Sequence, residues 1–368
     1  MRTRINSDHD EGPLESGKLI RRLFEGPIDV IGDVHGEIDA LAALLGELGY
    51  DSQGVHPDSR RLVFVGDYCD RGPDSPGVIR WVQRMVEAGM AQAIAGNHEL
   101  NLLRRENKHG SHWFYGVAHH PGFGPCVAIT EAEQEPILEF FRSLPIALER
   151  ADLRIVHAAW IPSAIEQCRS IAMPVDEAYS ALDDVMHARP DFKALEARQD
   201  EERTLYRAAL EDDSAVPPAT AIGPYDEFCQ MGNPIRVITS GVERVNQRPF
   251  FASGKWRFVD RVPWWRDYTD DVPVLFGHYW RWWNPAAHAT LSKGEPQLFA
   301  DDPVGPFMAN DHRAFCVDFS AGGRFKQRLL NHEPPYQGRL AAMRWPERTL
   351  VFDGEAPGTQ RVEEVDEK

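Results

Sequence analysis

The chain has 368 residues but only five cysteines, at 69, 126, 168, 229 and 316, with no C-x-x-C pair and an odd count. That argues against a disulfide framework or a cysteine-zinc site and fits a reducing compartment. No apolar run is long enough to span a bilayer, so no membrane partner is expected. The opening "MRTRINSDHDEGPLESGKLIRRLFEGP" lacks the apolar core of a secretion signal. Residues 1–27 therefore read as a flexible leader and the protein as cytoplasmic. Positive charge is scarce: 40 Lys and Arg stand against 57 Asp and Glu, a formal net charge of −17. A surface of that sign repels a phosphate backbone, so strong nonspecific nucleic-acid binding is not expected. A small anionic ligand needs only local positive charge, which divalent metals can supply.

What is present is a regular alternation. "IDVIGDV" (28–34), "RLVFVGD" (61–67) and "AQAIAGN" (91–97) read as strands. Between them, "EIDALAALLGELG" (37–49) puts Ile38, Leu41, Leu44, Leu45 and Leu48 on one helical face. "SPGVIRWVQRMVEAG" (75–89) is a second helix, with Pro76 early and Gly89 as a stop, and 98–108 a third. This β-α-β-α-β order implies parallel strands with helices outside, an α/β fold. A helix around 131–143 and strands near 145–149 and 153–158 follow. Residues 28–355 read as one domain with a polar helical insertion or cap at about 160–235, and 356–368 as an acidic tail. Strand character returns at 234–241, 272–278, 314–320 and 339–345, and "TLVFDGE" (349–355) is a candidate to close a second sheet.

Metal-binding side chains recur where these strands end. "GDVHG" supplies Asp33 and His35, "GDYCDRG" Asp67, "GNHE" Asn97 and His98, "LRIVHAAW" His157 and "VLFGHYW" His278. Ligands of open α/β sheets bind beyond the carboxyl ends of the strands, so these ends can converge. Asp33 and His35 suit one ion, and Asn97, His157 and His278 another. Asp67 can bridge them, because a carboxylate has two oxygens. Imidazole, carboxylate and amide oxygen suit manganese first, with iron or zinc as alternatives.

"GDVHG", "GDYCDRG" and "GNHE", about thirty residues apart and followed by two later histidines, resemble the calcineurin-like metallophosphoesterases. The DRG and GNHE forms are similar to the phosphoprotein-phosphatase branch, and the surrounding text is similar to its bacterial members. Those include phosphatases similar to the diadenosine tetraphosphatases and the phosphatase modules of RNA-repair enzymes. The resemblance implies a four-layer α/β/β/α sandwich, two divalent metal ions and hydrolysis of phosphate esters by a metal-bound hydroxide. It further implies that Arg71 holds the phosphate and that Asp70 pairs with His98, which protonates the leaving oxygen. Chemistry agrees: the arginine fork donates two parallel hydrogen bonds to a phosphate. A carboxylate sets a histidine's tautomer and supports its imidazolium. The fourth motif departs from the "HGG" of eukaryotic protein phosphatases and reads "HAAW".

The expected activity is phosphomonoester hydrolysis, on a protein, nucleotide or RNA-end phosphate. A pyrophosphohydrolase similar to the bis(5'-nucleosyl)-tetraphosphatases is the alternative within enzymes. A metal-binding interaction protein without catalysis is the alternative outside them, and the intact Arg71 and His98 weigh against it. His98 has a second reading, as a residue that only orients Asn97. His109, His112, His119 and His120 invite a further metal site, but loop histidines are common near clefts. The tryptophans at 256, 264, 265, 280, 282 and 283 can stack on a nucleobase or fill the core, and core is preferred for most. Trp282 and Trp283 are the candidates for stacking. Arg281 and Lys255, among them, are candidates for a second phosphate contact.

Overall fold

Alternation along the strands decides how the layers stack. In Arg61–Phe64 and the residue after it, Leu62 and Phe64 pack into one apolar cluster while Val63 and Val65 pack into another. Ile28 and Val30 join the second cluster and Ile31 the first. The period of two thus gives one sheet two buried faces. The computed structural model describes residues 17–108, 110–292, 296–300, 302, 313–354 and 360–361.

Two mixed sheets result. One runs Gln360–Arg361, Thr349–Phe352, Ala341–Trp345, Ile28–Ile31, Arg61–Phe64, Ala91–Ala93, the last three parallel. The other runs Ile20–Arg22, Ala147–Arg150, Leu153–Val156, Val274–Phe276, Ala314–Cys316, again with its last three parallel. Leu148, Ile155, Leu275 and Phe315 of the second sheet meet Val30, Val63 and Met343 of the first in one core. Helices Ile38–Leu48 and Ser75–Glu87 cover the far side of the first sheet. The fold is the expected α/β sandwich, two packed sheets with helices outside.

Several local readings need correction. Residues 234–241, expected as a strand, form the helix Pro234–Ser240. Asn233 caps it by accepting from the Ile235 N–H at 3.0 Å, and Pro234 fits the first turn, where no N–H is required. The two strands at 341–345 and 349–352 extend the first sheet instead of closing the second, the former antiparallel to Ile28–Ile31 and the latter antiparallel to the former. Part of the expected leader is ordered, since Ile20–Arg22 pairs with Ala147–Glu149. Of the acidic tail, only Gln360–Arg361 is described, as a short strand, and the rest lies outside the described residues. A long hairpin, Glu243–Ala252 with Lys255–Arg261, was not anticipated. Helices Pro162–Arg169, Val175–Ala188, Pro190–Leu205 and Ile222–Met231 occupy the 160–235 region. Among the described residues, no helix is long and apolar enough to cross a membrane.

Candidate active site

Six parallel strands end on one edge of the sandwich, three from each sheet. Asp33 and His35 follow Ile28–Ile31, Asp67 follows Arg61–Phe64, and Asn97 and His98 begin the helix after Ala91–Ala93. His157 and His278 follow Leu153–Val156 and Val274–Phe276. The chain turns sharply at these ends: His35, Asp67, Asp70, Arg71 and His278 all have positive φ between 47° and 74°. Non-glycine residues in that region store strain and cluster at functional sites. Gly66 permits a close approach at positive φ: at its φ of 102°, a Cβ would stand 2.6 Å from the Gly96 amide nitrogen and 2.9 Å from His157 Nδ1.

The structure gathers these side chains into two clusters that share Asp67. One contains His35, Asp67 and His98, the other Asp67, His157 and His278, with the candidate ligand atoms of each within 4.8 Å of one another. His157 donates from Nδ1 to the Val65 carbonyl at 2.7 Å. Its Nε2 then faces Asn97 Oδ1 at 3.1 Å and Asp67 Oδ1 at 3.3 Å. His278 Nδ1 lies 2.8 Å from the same Asn97 oxygen. His35 donates from Nδ1 to the Cys69 carbonyl at 2.8 Å, leaving Nε2 3.6 Å from Asp67 Oδ2. Backbone carbonyls thus hold both rings by Nδ1 and turn Nε2 inward. Asp33 stands outside these two clusters: its Oδ2 accepts the His278 amide N–H at 3.0 Å, and its buried Oδ1 has no partner.

The electrostatics match this crowding. Burial, then the carboxylate of Asp318, push the Asp33 carboxyl well above the usual range. Burial would raise Asp67 too, but His157, His98 and His35 hold it well below. Burial opposes charge on His157, yet the Asp67 carboxylate lifts it to about 10. Burial and then the Arg71 guanidinium press His35 well below its ordinary value, and burial and then Arg261 do the same to His278. Dry carboxylates and inward ring nitrogens around unpartnered Asp33 Oδ1 and His278 Nε2 are a donor set for divalent cations. The residues present therefore fit such ions.

Arg71 reaches into the same place. Its two terminal nitrogens donate to His35 Nε2 at 2.6 Å and to His98 Nε2 at 2.8 Å. His98 Nδ1 lies 2.5 Å from Asp70 Oδ2, and the indole N–H of Trp113 donates to Asp70 Oδ1 at 2.7 Å. The structure brings together all nine residues singled out from the sequence.

Three others were missed. Glu99 accepts the amide N–H groups of Asp67, Tyr68 and Gly96 at 2.8–2.9 Å, tying two strand ends together. Its signal lay in "GNHE" itself. Asp318 ends the strand Ala314–Cys316 and accepts the amide N–H groups of Trp280 and Ser320, and an acid after an apolar run is the signal used for Asp33. Trp113 carried no such signal. Of the loop histidines, His112 sits by Cys126 and stacks on Phe123, and no group of three metal-type residues forms there among the described residues. His109 lies outside the described residues. The tryptophans divide. Trp264, Trp265 and Trp282 are buried, and Trp283 packs on Phe319 and Phe352. Trp256 and Trp280, half-buried, line the cavity beside Arg71, and the more buried Trp282 lines it too, whereas Trp283 does not.

Comparison with known proteins adds the following. Residues 26–167 match the family described as Calcineurin-like phosphoesterase. A Bis(5'-nucleosyl)-tetraphosphatase PrpE [asymmetrical] of Oceanobacillus iheyensis is 48% identical over 80 residues, 21% of this chain and 32% of that protein. The protein of the same name from Halalkalibacterium halodurans is 51% identical over 79 residues, 21% of this chain and 32% of that protein. The match thus spans about a third of the length of these curated relatives. A solved protein serine/threonine phosphatase from Saccharomyces cerevisiae aligns over 95% of this chain and 87% of its own, at 13% identity and a TM-score of 0.44, which bears no argument about function.

Proposed function

We propose, from the premise that this chain carries a calcineurin-like phosphoesterase domain and is a metal-dependent hydrolase, that it cleaves phosphomonoesters at the shared edge of its two sheets. The observation that carries this is the pair of buried clusters meeting at Asp67, with Arg71 donating into one of them. Asp33, His35, Asp67, Asn97, His157 and His278 would hold two divalent ions, manganese first among the candidates. Such ions, when bound, supply Lewis-acid stabilisation of phosphoryl oxygens and a water of lowered pKa.

The chain's own side chains supply the rest. Arg71 clamps the phosphate with its fork, giving up its bonds to His35 and His98 as it does so. Released from Arg71, His98 carries a proton at Nε2 toward the leaving oxygen. Asp70 holds Nδ1–H and stabilises the imidazolium, and Trp113 fixes the angle of Asp70. Glu99 keeps the turns bearing Asp67 and Gly96 in register by accepting three backbone N–H groups.

A second reading, a pyrophosphohydrolase of dinucleoside polyphosphates, is favoured by the names of the two relatives and by a cavity of about 1060 Å³ opening beside Arg71. The test is a panel assayed with manganese: nitrophenyl phosphate, a phosphopeptide, a mononucleotide, 3′-phosphorylated RNA and a dinucleoside tetraphosphate. Metal-dependent release of phosphate from the monoesters supports the first reading, and preferential cleavage of the tetraphosphate the second. No turnover of any of them, with metal bound, overturns both.

A further inference from the structure

We propose that the cavity beside Arg71 contains an anion subsite for a further phosphate group of the substrate, beyond the one that is cleaved. The proposal rests on the phosphoesterase reading for the cleaved phosphate and on separate residues for the second. At about 1060 Å³ the cavity lies at the upper end of ordinary ligand sites, which occupy roughly 300–1,000 Å³.

Its charge runs against the rest of the chain. Carboxylates outnumber Lys and Arg by 57 to 40 overall, but nine Lys and Arg against four carboxylates line this cavity. Three of the cations, Arg261, Arg257 and Lys255, lie along one strand of the unanticipated hairpin. At about 3.3 Å per residue the strand extends roughly 20 Å from Arg261 to Lys255. Arg261 is the end near the metal cluster, since Trp264, three residues on, donates its indole N–H to the carbonyl of Ala158, next to His157, at 2.9 Å. The row thus begins beside the catalytic edge and leads outward along the cavity wall.

These three cations have no committed partner. Among the described residues, their side chains form no hydrogen bond or ion pair, although Asp226 and Glu243 stand in the same wall. Asp226 is instead taken by Arg203, at 2.7 Å. Glu243, half-buried, stands opposite Arg261 across the hairpin, yet burial raises its carboxyl above the usual range against the pull of Arg261. Lys255 is crowded by Arg257, with burial and Arg203 adding to the effect. A solvated surface face would hold such charges apart. Here they are drawn together on a concave wall beside Trp256, where the field is focused. At the inner end the ring of Trp280 lies 4.6 Å from Arg71 and 5.1 Å from Lys326, joining the phosphate clamp to the cavity. A like-charged row only partly offset by Asp226 and Glu243 costs folding free energy, and an anionic ligand offsets that cost.

The test titrates the chain by calorimetry with orthophosphate and with inorganic tripolyphosphate, in metal-free buffer so that chelation does not intervene. It also measures how strongly each inhibits nitrophenyl phosphate turnover of the manganese-loaded chain. Tripolyphosphate should bind at least tenfold more tightly than orthophosphate. The double variant Lys255→Gln with Arg257→Gln should lose most of that advantage and show a shallower dependence of log affinity on log salt. Equal binding of the two anions by the unaltered chain overturns the proposal, as does an undiminished advantage in the double variant. Should the double variant fail to fold, the exposed Lys255→Gln alone carries the same comparison, with an expected loss of about threefold. Absence of nitrophenyl phosphate turnover with every metal would refute the phosphoesterase reading, while calorimetry would still decide the anion subsite.

Discussion

Compare the strand ends between residues 32 and 99 with the walls built from residues 203 to 282. In the first region each candidate ligand stands one to four residues beyond an apolar run, and parallel strands deliver all of them to one edge. In the second, Arg203 sits on a helix, Arg257 on a hairpin and Trp280 in a loop, and only folding makes them neighbours. Reaction chemistry is written locally here, whereas recognition is assembled from distant segments. The likeness to the tetraphosphatases spans 79–80 residues, 21% of the chain.

Substitutions in the two regions should therefore fail differently. Among substitutions that leave the metals bound, the largest effect is expected at His98. Replacing it by Asn removes the proton carried to a poor leaving group, and alkyl phosphates should slow by about 10²–10⁴-fold. Nitrophenyl phosphate, whose leaving group needs little protonation, should lose much less, and steady-state kinetics on both esters checks this. Equal losses would make His98 an orienting residue, which is its other reading.

Next is Arg71→Lys. It keeps the charge but loses the fork, and charge-assisted hydrogen bonds contribute about 1.5–3 kcal/mol. A fall in kcat/KM of roughly ten- to a hundredfold is expected at unchanged metal content. Efficiency near that of the unaltered chain would remove Arg71 from the site.

The smallest effects separate the tryptophans. Trp265→Ala opens a cavity among Phe276, Tyr279 and Phe299 and should cost about 3–5 kcal/mol of stability. Trp256→Ala loses one hydrogen bond to the Asp212 carbonyl and an edge contact with Phe251, and should cost about 1–2 kcal/mol. Denaturant unfolding of both variants reads this directly. Similar costs would show that Trp256 belongs to the core rather than to a cavity wall.

The same contrast explains what the sequence made legible. Asp33, Asp67 and His278 were visible because a glycine, an apolar run and a ligand-type residue coincide within a few positions. Asp318 follows a similar run but has no glycine before it, and it passed unnoticed. The helix Pro234–Ser240 read as a strand because Ile235, Val237 and Ile238 are β-branched, while the deciding cap is a single Asn side chain. The hairpin strand Glu243–Ala252 alternates weakly, with several charged or polar residues and little burial, so periodicity could not reveal it. Trp113 reaches Asp70 across 43 residues, a contact that no local pattern encodes.

The central claim is that Asp67 joins two ion sites into one catalytic centre. The most direct measurement is elemental analysis of the purified chain beside Asp67→Asn, with turnover recorded on the same samples. The account predicts two divalent ions per chain in the unaltered protein, and loss of both bound metal and turnover in the variant. Two ions and full activity retained by Asp67→Asn would contradict it.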